Sequence, residues 1–171
     1  MNRMALIAVI AMGLAAPALA ETEWRGGTPE DRAAITRIVD VWKQAYATGN
    51  GKGVADGYDA LGYVMAEGAP RAYGEQVGAG LIKTFTNSRI DMLLDLKEVE
   101  FNGTWCFIQG TFASKRLPKE PTPGIEPRYH AGYFFTLLRK TESGWKVWRN
   151  MDTSSPDAND LLAKLKGAAS P

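Results

Sequence analysis

The sequence predicts an α+β fold, a curved antiparallel sheet with helices on one face, and three features carry that reading. Apolar side chains recur at helical spacing along Ile35, Ile38, Val39, Trp42, Ala45 and Tyr46. Past Arg89 the pattern changes to strand-like runs, the first two joined by Asn102-Gly103, a hairpin turn signal. A second pair of runs, Tyr129 to Arg139 and Trp145 to Thr153, flanks Glu142-Ser143-Gly144. Helices grouped ahead of hairpins, rather than alternating with single strands, give one helix layer on one sheet.

Taken in order, Met1-Asn2-Arg3 is a positive start and Met4 to Leu14 an apolar run broken only by Gly13. Ala18 and Ala20 are the small residues a signal peptidase reads. Together these make a secretory signal peptide, residues 1–20, cleaved after Ala20. The run is too short to anchor the chain across a hydrocarbon core about 30 Å thick. The mature protein is expected in the periplasm or secreted, opening on a polar leader, residues 21–28.

Thr28-Pro29-Glu30-Asp31 is a helix start: a hydroxyl cap, a proline where no N–H is needed, and acids beside the positive end of the helix dipole. Gly49-Asn50-Gly51 stops that helix. A shorter, glycine-broken helix through Val54, Ala55 and Tyr58 leads to a brief strand, Tyr63 to Ala66, and a turn at Glu67 to Pro70. A third helix, about Glu75 to Phe85, buries Val77, Leu81, Ile82 and Phe85. Strands follow at Met92 to Phe101 and Thr104 to Ser114. Lys115 to Pro127 contains Pro118, Pro121, Pro123 and Pro127; proline gives up a ladder N–H, so an exposed loop is expected. The domain spans residues 29–156, and the tail, 157–171, carries a short helix from Asp157 to Lys166.

Lys and Arg number 20 and Asp and Glu 19, and Arg3 leaves with the signal, so the mature chain is electrically balanced. Without a basic block there is no electrostatic footprint for nucleic acid or an anionic membrane, and a small molecule or another protein is the expected partner. The lone Cys106, between Trp105 and Phe107, reads as a packing cysteine that forms no internal disulfide. His130 is the only histidine, so no metal site is expected. No nucleotide fingerprint, phosphate loop or Ser-His-Asp spacing is present, and no cofactor is implied.

Three stretches are similar to the nuclear-transport-factor-2-like superfamily, also called SnoaL-like or ketosteroid-isomerase-like, and to its small-domain branch. They are Trp42 to Asn50, a first helix ending in an alanine-rich turn; Val99 to Phe112, a glycine-turn hairpin with an aromatic strand; and Phe135-Thr-Leu-Leu-Arg139 with Gly144-Trp145-Lys146-Val147 and Asp152-Thr-Ser-Ser-Pro. The resemblance covers about Pro29 to Pro156 and implies a cystatin-like cone, a sheet curled around the long helix with a ligand pocket at its wide end. It also implies the option of a homodimer paired through the sheet.

In ketosteroid isomerases an Asp on the first short strand is the base, and a Tyr and a second Asp donate to the oxyanion. Here the helix position falls on Trp42 with Tyr46 one turn later, the base region offers Glu67 after Met65 and Ala66, and Tyr133-Phe134-Phe135-Thr136 carries no acid. Steroid-type isomerisation is therefore not expected. Candidate catalytic groups are Asp152, Glu67 and His130; candidate ligand-lining groups are Trp42, Tyr46, Trp105, Phe134 or Phe135, Trp148 and Asn150. Trp148, Asn150 and Asp152 share a strand face by period two, and the resemblance turns that face inward. His130 joins them if the connection between the last two strands is odd in length, and opposes them if it is even. Three functions remain open: an exported binder of a small, mostly apolar molecule, a cofactor-independent lyase, isomerase or hydrolase, and a non-catalytic dimeric interaction module.

Overall fold

The computed structural model describes residues 21–120, 123–155 and 159–167; the expected signal peptide, Met1–Ala20, lies outside them. Helix α1 (Pro29–Thr48) starts at a reciprocal cap: the Asp31 N–H donates to Thr28 Oγ1 at 3.2 Å and the Thr28 N–H to the Asp31 carboxylate at 3.4 Å. It ends on Gly49, whose φ of 71° lies in the left-handed region. Between these ends Ile35, Val39, Trp42 and Ala45 form the buried stripe. Strand β1 (Glu23–Arg25) precedes it. After it come α2 (Gly51–Ala55), β2 (Tyr58–Met65), β3 (Ala72–Tyr73), α3 (Gly74–Asn87), β4 (Ser88–Asn102), β5 (Trp105–Pro118), β6 (Arg128–Thr141), β7 (Gly144–Ser154) and α4 (Asn159–Gly167).

One seven-stranded sheet has the order β1-β4-β5-β6-β7-β2-β3. Strands β4 to β7 form the expected antiparallel meander, but both flanks depart from it: β1 runs parallel to β4, and β2 parallel to β7. The sheet is therefore mixed. Hairpin turns are local signals, whereas these parallel pairs are made by segments that reach the sheet through helices and carry no turn signature. The leader is accordingly an edge strand, with Trp24 stacked on Phe101 at 6.5 Å.

The Pro-rich segment also differs. Lys115 and Arg116 are paired on both sides, to Asp91 and Ile90 and to Tyr129 and Arg128, so β5 runs on to Pro118. Proline blocks a strand only where it stands, and the first one is the last strand residue. Helix α4 covers one end of the convex face, burying Leu161 and Leu165 with Ala113 and Ala131. The tail thus belongs to the folded unit.

Three register slips bend the sheet: between Leu96 and Glu98 on β4, between Tyr58 and Tyr63 on β2, and at Trp148 on β7, which stands unpaired between Val147 (opposite Leu138) and Arg149 (opposite Leu137). Gly110 helps: a side chain there would stand 2.4 Å from the Asp95 carbonyl and 2.6 Å from the Phe134 ring. Val99, Cys106, Ile108, Leu138 and Val147 are fully buried beneath α1. Burial pushes the Cys106 thiol up to about 12, which makes it inert packing.

Candidate functional site

The bent sheet and the helices enclose a cavity of about 470 Å³. Its body is apolar. Trp42 from α1 meets Phe134 edge-on at 6.5 Å, with Val77 and Leu81 of α3 and Met92 and Leu94 of β4 around them.

Four of the polar lining residues, Tyr46, Tyr58, Asn150 and Asp152, form one linked group, and Gln76 and Thr84 of α3 are the others. Thr136, fully buried, donates from Oγ1 to Asn150 Oδ1 at 2.6 Å. That bond leaves the Asn150 amide as a donor, and Asn150 hydrogen-bonds the Tyr58 hydroxyl. Burial pushes the Tyr46 phenol up to about 12, with the Asp152 charge adding to it. Tyr58 is raised by burial as well, and both phenols stay protonated at neutral pH. Burial also raises the Asp152 carboxyl above the ordinary range, against the opposing effect of the Glu67 N–H.

The turn between β2 and β3 closes the mouth. Its Glu67 N–H donates to Asp152 Oδ1 at 3.2 Å, and Glu67 Oε2 accepts from the Ser154 N–H. His130 Nε2 lies 2.7 Å from Ser154 Oγ, its ring edge-on to Phe112 at 5.0 Å. The Ser154 donors hold the Glu67 carboxyl below the usual range. Glu67 and His130 thus meet at Ser154, with Asp152 joined to them through the Glu67 N–H, but of the three only Asp152 lines the cavity. The parity of the last hairpin is set jointly by its turn and the slip at Trp148, which bring Thr136 opposite Asn150 and Phe134 opposite Asp152. His130 shares that face.

Trp42, Tyr46, Phe134 and Asn150 line the cavity with Asp152. Trp105 and Trp148 do not. They meet edge-on at 6.3 Å on the convex face, where Trp148 also lies 4.1 Å from the Arg139 guanidinium and 3.9 Å from that of Arg149. The bulge turns Trp148 outward, and β5 faces inward with Cys106 and Ile108, which sends Trp105 out. Phe135 faces out too, stacked on Phe107 at 6.3 Å. Tyr58 is a site residue the sequence reading passed over: placed at a helix end, it had no strand face assigned.

No family model and no curated protein matches the chain. Solved structures do. A conserved protein from Planctomyces limnophilus superposes with a TM-score of 0.67 at 15% identity, covering 75% of this chain and 100% of that one. A ketosteroid isomerase-like protein from Erwinia carotovora atroseptica gives 0.63 at 23% identity, over 75% and 100%. An NTF2-like protein with a cystatin-like fold from Novosphingobium aromaticivorans gives 0.62 at 16%, over 78% and 89%. With a helix layer laid in the hollow of a bent sheet, this chain has the nuclear-transport-factor-2-like, cystatin-like cone fold of these structures.

Proposed function

We propose that the protein is exported and binds a small, mostly apolar molecule in the cone, its one polar end held by Asn150, Asp152, Tyr46 and Tyr58. The observation that carries this reading is a mostly apolar wall with one linked group of hydrogen-bonding side chains, Tyr46, Tyr58, Asn150 and Asp152, set into it. Its volume of about 470 Å³ falls within the range usual for ligand clefts. Two protonated phenols and an amide favour a carbonyl or hydroxyl at the ligand's polar end. The test is native mass spectrometry of protein recovered from the periplasm. The expected species begins at Glu21 and carries a small molecule that is released on denaturation. An empty protein, together with a Val77→Phe variant that takes up the neutral dye Nile red as well as wild type, would overturn the reading.

A second reading is proton transfer without a cofactor, as in a lyase, isomerase or hydrolase. Asp152 favours it, as a carboxyl of raised proton affinity inside the cavity beside a phenol. Glu67 and His130 would hold the Ser154 end of the mouth. Under this reading Asp152→Asn abolishes turnover while the bound mass persists. Pairing of two copies through the convex face is compatible with both readings; Trp105, Phe107 and Met151 are 38%, 36% and 44% exposed there.

A further inference from the structure

A second groove, of about 690 Å³, opens on the far side of the Tyr46–Phe85 pair, whose rings meet edge-on at 5.6 Å. Its wall is apolar, formed by Phe85, Ile90, Leu117, Pro118, Pro123 and Ile125, the last 53% exposed. The groove continues into a polar recess of about 270 Å³, the two sharing Ser88, Leu117, Pro118 and Ile125. That recess holds Arg116 and Arg128, with Glu126 its one lining carboxylate. The two arginines are direct register partners across β5 and β6, a placement in which like charges repel. Arg116 is held in place by a buried hydroxyl, its Nε donating to Ser88 Oγ at 3.0 Å. No carboxylate among the described residues lies within ion-pair distance of either guanidinium. At the groove's own rim stand Lys119 and Arg89, the latter bound to Asp91 at 3.1 Å.

We propose that this groove binds a single-chain amphiphilic anion, with the chain along the apolar wall and the acidic head between Arg116 and Arg128. An anion there cancels the cross-strand repulsion and accepts charge-assisted hydrogen bonds from guanidinium nitrogens that Ser88 leaves free. The exposed Ile125 and its apolar neighbours leave water when the chain seats. This site is separate from the cone, and the inference stands whether or not the cone binds a ligand.

The test is calorimetric titration of the mature protein with dodecanoate and with dodecanol. Wild type is expected to bind dodecanoate at least about tenfold more tightly than dodecanol. Arg116→Gln combined with Arg128→Gln should erase that preference and leave dodecanol binding unchanged. Because the exchange relieves repulsion, the double variant should melt no lower than wild type, which separates lost binding from lost folding. Val77→Phe, which fills the cone and touches neither groove nor recess, should leave both affinities unaltered. Equal affinity for acid and alcohol, retention of the preference in the double variant, or loss of dodecanoate binding in Val77→Phe would each overturn the assignment. So would sedimentation with anionic phospholipid vesicles in the absence of dodecanoate binding, which would make the face a membrane contact.

Discussion

Replacing Asp31 by Asn tests how α1 is fixed over the sheet, and hence what keeps the cone open. Asp31 caps the helix through Thr28, and its Oδ1 also accepts from Lys140 Nζ at 2.7 Å and Trp145 Nε1 at 2.9 Å. The Lys140 ammonium and the Trp145 indole together bring its carboxyl down to about 2, from an ordinary value of 3.8. A shift of that size corresponds to a ceiling of about 2.4 kcal/mol at neutral pH. Lys140 is 50% exposed, so solvent screens part of it, and Asn keeps one oxygen that can still accept from Trp145 Nε1, although the Thr28 N–H, which reaches the other oxygen, loses its acceptor. The expected loss is therefore about 1–2 kcal/mol at pH 7. The sign follows from a depressed acid: its contribution is complete above the unfolded value and disappears as pH falls through the folded one. Urea unfolding of the mature chain, followed by tryptophan fluorescence, should show the gap between wild type and variant narrowing below about pH 4 and nearly closed at about pH 2. A gap of undiminished size at low pH would refute the reasoning, because it would mean that shape, not charge, holds the strut.

Other substitutions probe the remaining pieces. Gly80→Ala, in α3, meets no atom within 4 Å and should raise stability by about 1 kcal/mol in thermal unfolding. Phe134→Ala, at a ring 5% exposed and packed on Trp42, should cost about 3 kcal/mol and enlarge the cavity, read by denaturant unfolding and by uptake of a bulkier dye. Asp59→Asn weakens a pair in which Arg139 Nε donates to the buried carboxylate at 2.7 Å; with the guanidinium 35% exposed and able to find water, about 1–2 kcal/mol should be lost at pH 7. Because Arg139 holds the Asp59 carboxyl below its ordinary value, that loss should shrink as the pH is lowered into the carboxylate range.

The parts of this fold that were legible in the sequence are those encoded by neighbours. Thr28, Pro29 and Asp31 specify the start of α1 within four positions, and Asn102-Gly103 specifies a hairpin, because caps and turns are made by the residues that announce them. The parallel partners of β1 and β2 were not legible, since nothing in Glu23 to Arg25 or Tyr58 to Met65 names the strand each will meet. In the site, alternation along β7 holds from Asn150 to Asp152 and fails at Trp148, because period two presumes an unbroken ladder. Tyr58 was missed for a related reason: its orientation depends on β2 lying beside β7, a contact between segments far apart in the chain.

The unpaired residue on β7 lets the outer face of the sheet vary in descent without disturbing the pocket. Val147 and Asn150 face inward only because one extra residue sits between the paired stretches. Losing a single codon at position 148 would make the ladder continuous, with Val147 still opposite Leu138, Arg149 opposite Leu137 and Asn150 opposite Thr136, so the inward amide and carboxylate keep their face and only the outward indole is lost. A lineage can thereby shed or regain an aromatic platform on the outer face in one genetic event while the hollow keeps its lining, so the two faces of the strand can change independently.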